Sequence, residues 1–290
     1  MMMQSPDIGG MILHHTSDAH EIAFESPWGG EFVIHLPQWA PVHVGGMAID
    51  LSPTKHVVFM MLAAFCVWLT MFLTGRALVR QRAAGRGPHG AAGMIEAMVL
   101  FVREDVAVSN IGHNGAKFAP YILTLFWFIL YCNLFGLLPW GATATGNLAV
   151  TGALALTAFL TIEISGMIAL GPRGYLKTIF FAPPGTSGFT KYAMMVIMTP
   201  VELISKLVKP FALTLRLFAN MTAGHFVILS LLGLIFLFGT GPALVRWGVA
   251  GGSVFFVLFM MALELLVAVL QAYIFALLTS VFIGLMQHEH

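Results

Sequence analysis

Met194–Phe238 reads MMVIMTPVELISKLVKPFALTLRLFANMTAGHFVILSLLGLIFLF. It holds no cluster of turn-forming residues, so one long helix is expected across it. Into that apolar run are set Glu202, Lys206, Lys209, Arg216, Asn220 and His225. A charge near the middle of a bilayer costs at least ~2.5–3.5 kcal/mol, so an ionisable group there is a functional position by default. Arg216 is the sharpest case, because a guanidinium keeps its proton where an ammonium can shed one. It requires an anion, a water-filled cavity, or both. That points to a path for ions through a membrane.

The rest of the chain agrees. Its 290 residues are 58% hydrophobic and 9% charged, with mean hydropathy +0.87, against ~25% charged in a soluble domain. The expected fold class is an all-α membrane protein of about five to six helices, each spanning stretch needing ~20 apolar residues. A net charge of +1 gives no reason to expect nucleic acid as a partner. Cys66 and Cys132 fall in apolar helical stretches and read as free buried thiols, not a disulfide. The N-terminus has no basic region or early apolar core, and carries Asp7, Asp18, Glu21 and Glu25. It does not read as a cleavable signal peptide, so insertion falls to the first hydrophobic helix.

Residues 1–55 are expected to be an extracytoplasmic segment and residues 56–290 a polytopic membrane domain. The N-terminal segment is polar and broken by Pro6, Pro27, Pro37 and Pro41, with an alternating run, Glu31 to Leu36, suited to a small hairpin. A first span is expected from about His56 to Val79. Arg76, Arg80, Arg82 and Arg86 follow it, which keeps that loop inside and the N-terminus outside. Met94 to Ser109 interleaves Met94, Met98, Phe101, Val102 and Val106 with Glu96, Arg103, Glu104 and Asp105, the pattern of an amphipathic helix on the inner surface. Further spans are expected near Phe118–Leu138 and Leu148–Leu170, then an inner loop at Pro183-Pro184-Gly185. A long tilted hairpin follows over about 192–286, turning at Gly239-Thr240-Gly241-Pro242. Its first arm would run ~70 Å at ~1.5 Å per residue, far beyond a ~30 Å hydrocarbon core. Either a break lies in it, with Pro200 and Pro210 as candidate kinks, or it tilts strongly.

At ~100° per residue, and with Glu202 at zero, Lys209 falls at about −20°, Arg216 at about −40°, Ser205 at about −60°, Asn220 at about 0° and Lys206 at about +40°. These side chains form one stripe, with Glu202 toward the inside. His225 falls on another face, nearer the outside. On the last helix Glu264 and Gln271 share a face, seven positions apart. Antiparallel pairing of the two arms, offset by a turn or two, brings His225 near Glu264. Relays of carboxylates and histidines conduct protons. A fixed cation between two relays holds a partner carboxylate ionised and blocks direct leakage. Plainer readings stand beside this one. Lys206 and Lys209 can snorkel to the inner interface. Glu163 can pair with Ser or Thr neighbours, and Asn133 can simply bond a neighbouring helix.

Leu213-Thr214-Leu215-Arg216-Leu217-Phe218-Ala219-Asn220-Met221-Thr222-Ala223-Gly224-His225 resembles the signature of subunit a of the F-type ATP synthases. Asn133-Leu134-Phe135-Gly136-Leu137-Leu138-Pro139 and Gln271-Ala272-Tyr273-Ile274-Phe275 resemble two further motifs of that family. The resemblance covers roughly residues 56–286. It implies a stator against a rotating ring of c subunits, with Arg216 facing the ring carboxylate. It places Glu202 and Ser205 in an inner half-channel, and Asn220, His225, Glu264 and Gln271 around an outer one. His225 with Glu264 resembles the mitochondrial and related bacterial arrangement, whereas one polar inner position of the family is Ala212 here. The implied partners are the c ring, peripheral-stalk b subunits, indirectly the F1 sector, lipids and protons. No cofactor, metal or catalytic site in the chain is expected. The implied place is a bacterial cell inner membrane, ahead of a mitochondrial one, with the C-terminus inside.

Other classes compete with this reading. A sodium-coupled version of the same machine is not separated by this chain, although His225 favours protons. A secondary transporter would need a closed cavity and commonly repeats, and no repeat at a fixed period is visible. An intramembrane enzyme or metalloprotein would have to use His14-His15, Gly185-Thr186-Ser187-Gly188 or His288-Glu289-His290, none of which has metal-ligand spacing. A pure scaffold leaves Arg216 unexplained.

Overall fold

The computed structural model describes residues 18–26, 30–40, 42–44, 47–50, 52–138, 141–180 and 188–288. Pro139, the Pro183-Pro184-Gly185 loop, Thr186, Ser187, His14, His15, Glu289 and His290 lie outside the described residues.

Two short antiparallel hairpins come first. β1 (Glu21–Ser26) pairs with β2 (Gly30–His35), with Glu21 opposite His35 and Phe24 opposite Phe32. β3 (Val42–Val44) pairs with β4 (Met47–Ile49). The alternating run after Gly30 therefore forms a hairpin arm as its pattern suggested.

The remainder is helical: α1 (Lys55–Ala83), α2 (Gly90–Phe101), α3 (Gly115–Gly136), α4 (Leu148–Ile179), α5 (Phe189–Leu237) and α6 (Ala243–His288). Five runs, 55–83, 90–136, 148–179, 192–237 and 243–287, are long and apolar enough to cross a membrane. The amphipathic stretch expected at 94–109 is helical but not a separate helix. From α2 the chain passes through a π-helical turn (Val102–Val108) and a 3₁₀ turn (Gly112–Asn114) into α3. The wider π turn keeps Val102, Val106 and Ala107 buried while Arg103, Glu104 and Asp105 stay exposed.

α4 continues beyond Leu170, across a kink. Gly171 takes φ 69° and ψ 165°, outside the helical range, immediately before Pro172. Only glycine adopts that backbone readily, and proline has no N–H to continue the ladder. α5 holds no such break over its 49 residues, although Pro200 and Pro210 lie inside it. The Thr214 hydroxyl donates to the Pro210 carbonyl at 2.9 Å. The alternatives of a hidden break or one long helix are thus resolved for one helix, roughly 74 Å long at ~1.5 Å per residue.

The chain divides into two compact units. The first comprises residues up to Trp68, Phe128–Asn147 and Leu217–Gln271; the second comprises Leu69–Trp127, Leu148–Arg216 and from Ala272 onward. In the first, Ile129, Leu130 and Cys132 of α3, Leu217 and Met221 of α5, and Ala268 of α6 are buried. In the second, Ile122 and Phe126 of α3, Ala155, Ala158 and Ile162 of α4, Leu213 of α5, and Ala272, Phe275 and Ala276 of α6 are buried. Small residues at such contacts let helix backbones approach closely, as membrane packing requires. Both cysteines are free, and Cys132 is buried. Large apolar side chains such as Val201, Ile204, Val208 and Phe211 on α5, and Phe255 and Phe259 on α6, are exposed. In water such faces would aggregate; in lipid they are at home.

Candidate ion-translocation site

In the first unit, polar side chains converge on His225. Its Nδ1 lies 2.7 Å from Glu264 Oε1, and 3.0 Å from the Met221 carbonyl one helical turn earlier. The Nδ1–H is aligned with that carbonyl, so the Glu264 contact is a close charge contact without hydrogen-bond alignment, and neither Glu264 oxygen has a hydrogen-bond donor among the described residues. The other nitrogen, Nε2, lies 2.8 Å from the Gly136 carbonyl and 3.0 Å from Thr143 Oγ1. Both ring nitrogens face oxygens, so the ring can donate at either end. Glu264 is only 4% exposed, which makes an unpaired charge there costly and a proton acceptor there useful.

Two glycines allow these contacts. A Cβ on Gly224 would stand 2.8 Å from Glu264 Oε1. A Cβ on Gly136 would collide with the Thr143 side chain, which must pass there to reach His225. A second bond lies between the same two helices: the Asn220 amide donates to Gln271 Oε1 at 3.1 Å. Buried Asn133 donates to the Ala268 carbonyl at 3.2 Å and accepts from the Thr145 hydroxyl at 2.6 Å. Asn133 therefore bonds a neighbouring helix, the plainer of its expected roles.

In the second unit, Glu202 is half-buried, and Ser205 and Arg216 are exposed. Among the described residues none pairs with Glu202 or Arg216. Lys209 places its Nζ 4.9 Å from the centre of the Phe282 ring. Lys206 behaves differently from its expected snorkelling. It is 5% exposed, its Nζ lies 3.3 Å from Glu163 Oε2, and it stands over the Tyr175 ring at 4.6 Å. The Tyr175 hydroxyl donates to the same Glu163 oxygen. Glu163 thus pairs with a lysine and a tyrosine, not with Ser or Thr neighbours. A cavity of about 10 Å³, the scale of one water molecule, is lined by Glu163, Lys206, Lys209 and apolar neighbours.

Sequence reasoning missed Thr143, the Gly136 carbonyl, Tyr175 and the direction in which Lys206 points. Nothing in a Gly-Ala-Thr-Ala-Thr-Gly loop announces which hydroxyl meets a histidine. The exposed side of α5 carrying Ser205 and Arg216 leaves a cation on an apolar surface.

Comparison with known proteins gives one answer. Residues 57–284 match the family model described as ATP synthase A chain. A protein of Chloroherpeton thalassium named ATP synthase subunit a is 48% identical over 278 residues, 96% of this chain and 77% of that protein. One of Chlorobaculum tepidum, named ATP synthase subunit a 2, is 44% identical over 96% of this chain and 72% of its own length. One of Myxococcus xanthus, named ATP synthase subunit a, is 47% identical over 83% of this chain and 76% of its own length.

Proposed function

Since the chain belongs to the ATP synthase A chain family, we propose that it is the stator channel of a proton-driven rotary synthase, working against a ring of c subunits held in register by peripheral-stalk b subunits. Protons enter from the outer side at His225 and Glu264. They pass to a ring carboxylate, travel round with the ring, and leave past Glu202 and Ser205. Arg216 follows the inner group and precedes the outer one along α5. Its fixed charge keeps the arriving ring carboxylate ionised, so that the proton is released on one side before another is taken up on the other. The chain carries no phosphate chemistry itself and acts as part of the complex. It is placed in a bacterial cell inner membrane, N-terminus outside and C-terminus inside.

The observation that carries this reading is Arg216, exposed and without a partner among the described residues, on the helix whose next turns hold Asn220 and His225, each in contact with a polar residue of α6. A guanidinium needs an anion, and a ring carboxylate supplies one only while it faces Arg216. The test is ATP-driven proton pumping in vesicles carrying the whole complex. Arg216→Ala is expected to abolish pumping while the ATPase head stays assembled; unchanged pumping would remove Arg216 from the mechanism. Replacing sodium by potassium in the same vesicles is expected to leave the wild-type rate unchanged, and a sodium requirement would replace protons by Na⁺ in the reading.

A further inference from the structure

Apart from the largely exposed His35–Glu21 contact at 3.6 Å, the described residues of the first unit hold two histidine–carboxylate pairs, and only one belongs to the site above. In the other, His56 Nδ1 lies 2.7 Å from Asp18 Oδ1. His56 is the second residue of α1, its side chain 6% exposed, while that of Asp18 is 32% exposed. Neither residue lies within the 57–284 stretch matched by the family model. The pair is firmly held. The Ala19 N–H donates to Asp18 Oδ1 at 3.1 Å, the Lys55 N–H donates to the Ala19 carbonyl at 2.9 Å, and His20 Nδ1 lies 3.3 Å from the Pro53 carbonyl.

What lies inward of the pair matters most. Asn147 donates to Asp18 Oδ2 at 3.3 Å. It flanks one end of the 3₁₀ turn Ala144–Gly146, and Thr143, the His225 partner, flanks the other. At a rise of ~2.0 Å per residue the two flanks stand about 8 Å apart. Thr145, between them, bonds Asn133. Exposure falls along the series: Asp18 is partly open, Asn147 half-buried, and Thr145, Thr143 and Glu264 buried.

We propose that Asp18 and His56 form a proton-collecting station that feeds the His225–Glu264 pair along the 143–147 turn. This rests on the stator reading above and adds its entry step. The carboxylate draws protons from outside water, and the imidazole beside it takes one up. His56 passes that proton inward through water and hydroxyls, Glu264 receives it, and His56 returns to its neutral form. Asn147 orients Asp18 and carries no charge. Among the described residues, the other charged groups near the pair are Lys55 and Glu21, with His20 on the Pro53 side.

The test is ATP synthesis by the whole complex in vesicles, driven by an imposed gradient while outer pH is varied. Asp18→Asn and His56→Gln are each expected to lower the outer pH at which the rate halves by about one unit. Rates at acidic outer pH should stay unchanged, imidazole added outside should restore the alkaline rate, and Asp18→Glu should keep the wild-type profile. A loss by the same factor at every pH, without imidazole rescue, would make the pair a mere clasp and overturn the proposal. So would profiles unchanged in both variants. In the wild type, an alkaline rate that rises in proportion to mobile imidazole would overturn it too, even if neither variant assembled. Arg216→Ala separates the two readings: its loss of coupling with a flat Asp18 result removes the station alone.

Discussion

Glu264 and His225 are the residues whose chemistry can be separated most sharply from their packing. Glu264→Gln keeps the shape and removes the acid. Coupled synthesis is expected to fall by about 10²-fold, the scale of a lost proton-transfer group, with the deficit greatest at alkaline outer pH. The exchange variant His225→Glu with Glu264→His is expected to recover more rate than either single change, because the two side chains touch at 2.7 Å. Equal loss in the single and exchanged variants, measured as ATP synthesis per assembled complex, would break the pairing argument. This contact was legible in the sequence. Antiparallel arms turning near residue 241 bring positions 225 and 264 within a turn or two. The Thr143 contact was not legible, because a loop hydroxyl has no periodicity to read.

At the scale of elements, the five spanning runs could be found from length and apolarity alone, since a bilayer imposes both. Two details could not. Pro200 and Pro210 announce kinks, yet α5 absorbs both, because a lost backbone bond leaves carbonyls that neighbouring groups can satisfy. The helical wheel put Lys206 beside the Arg216 stripe at about +40°. A wheel gives an angle and not a partner, and Glu163 lies 43 positions away in sequence. The Glu163–Lys206 pair makes a stability prediction. Lys206→Met alone strands a buried carboxylate and should cost about 3–5 kcal/mol, whereas pairing it with Glu163→Gln should recover most of that loss. Thermal unfolding of the purified complex, read as retention of this subunit, decides between them. A double variant as unstable as the single would show that the charges do not depend on one another.

For the molecule as a whole, the Asp18–His56 pair ties the N-terminal segment to the first helix, and pH tests the tie. The Asp18 carboxyl is held below its ordinary value of 3.8. Its part-burial works upward, but the close contact and charge of the His56 side chain outweigh that. A lowered carboxylate pKa means the ionised form is favoured in the folded state. The contribution is therefore complete above the ordinary value and is lost only as pH falls through the lowered one. Proteolysis of the segment is expected to stay slow from neutral pH down to about 4 and to rise below it. In Asp18→Asn it should be fast throughout. A rise already at pH 6 would assign the tie to some other group.

The bare guanidinium of Arg216 also bears on how the cell builds the complex. On the stator function proposed above, a newly inserted copy of this chain displays a cation to lipid until the ring supplies the matching anion. An orphan copy is therefore marked as unfinished by the same group that serves the finished machine, and membrane proteases have a physical feature to act on. In cells lacking the ring, pulse-labelled chain is expected to decay faster than in cells with it. Arg216→Leu should lengthen the orphan's half-life, and an equal half-life for both would mean that surveillance reads something else.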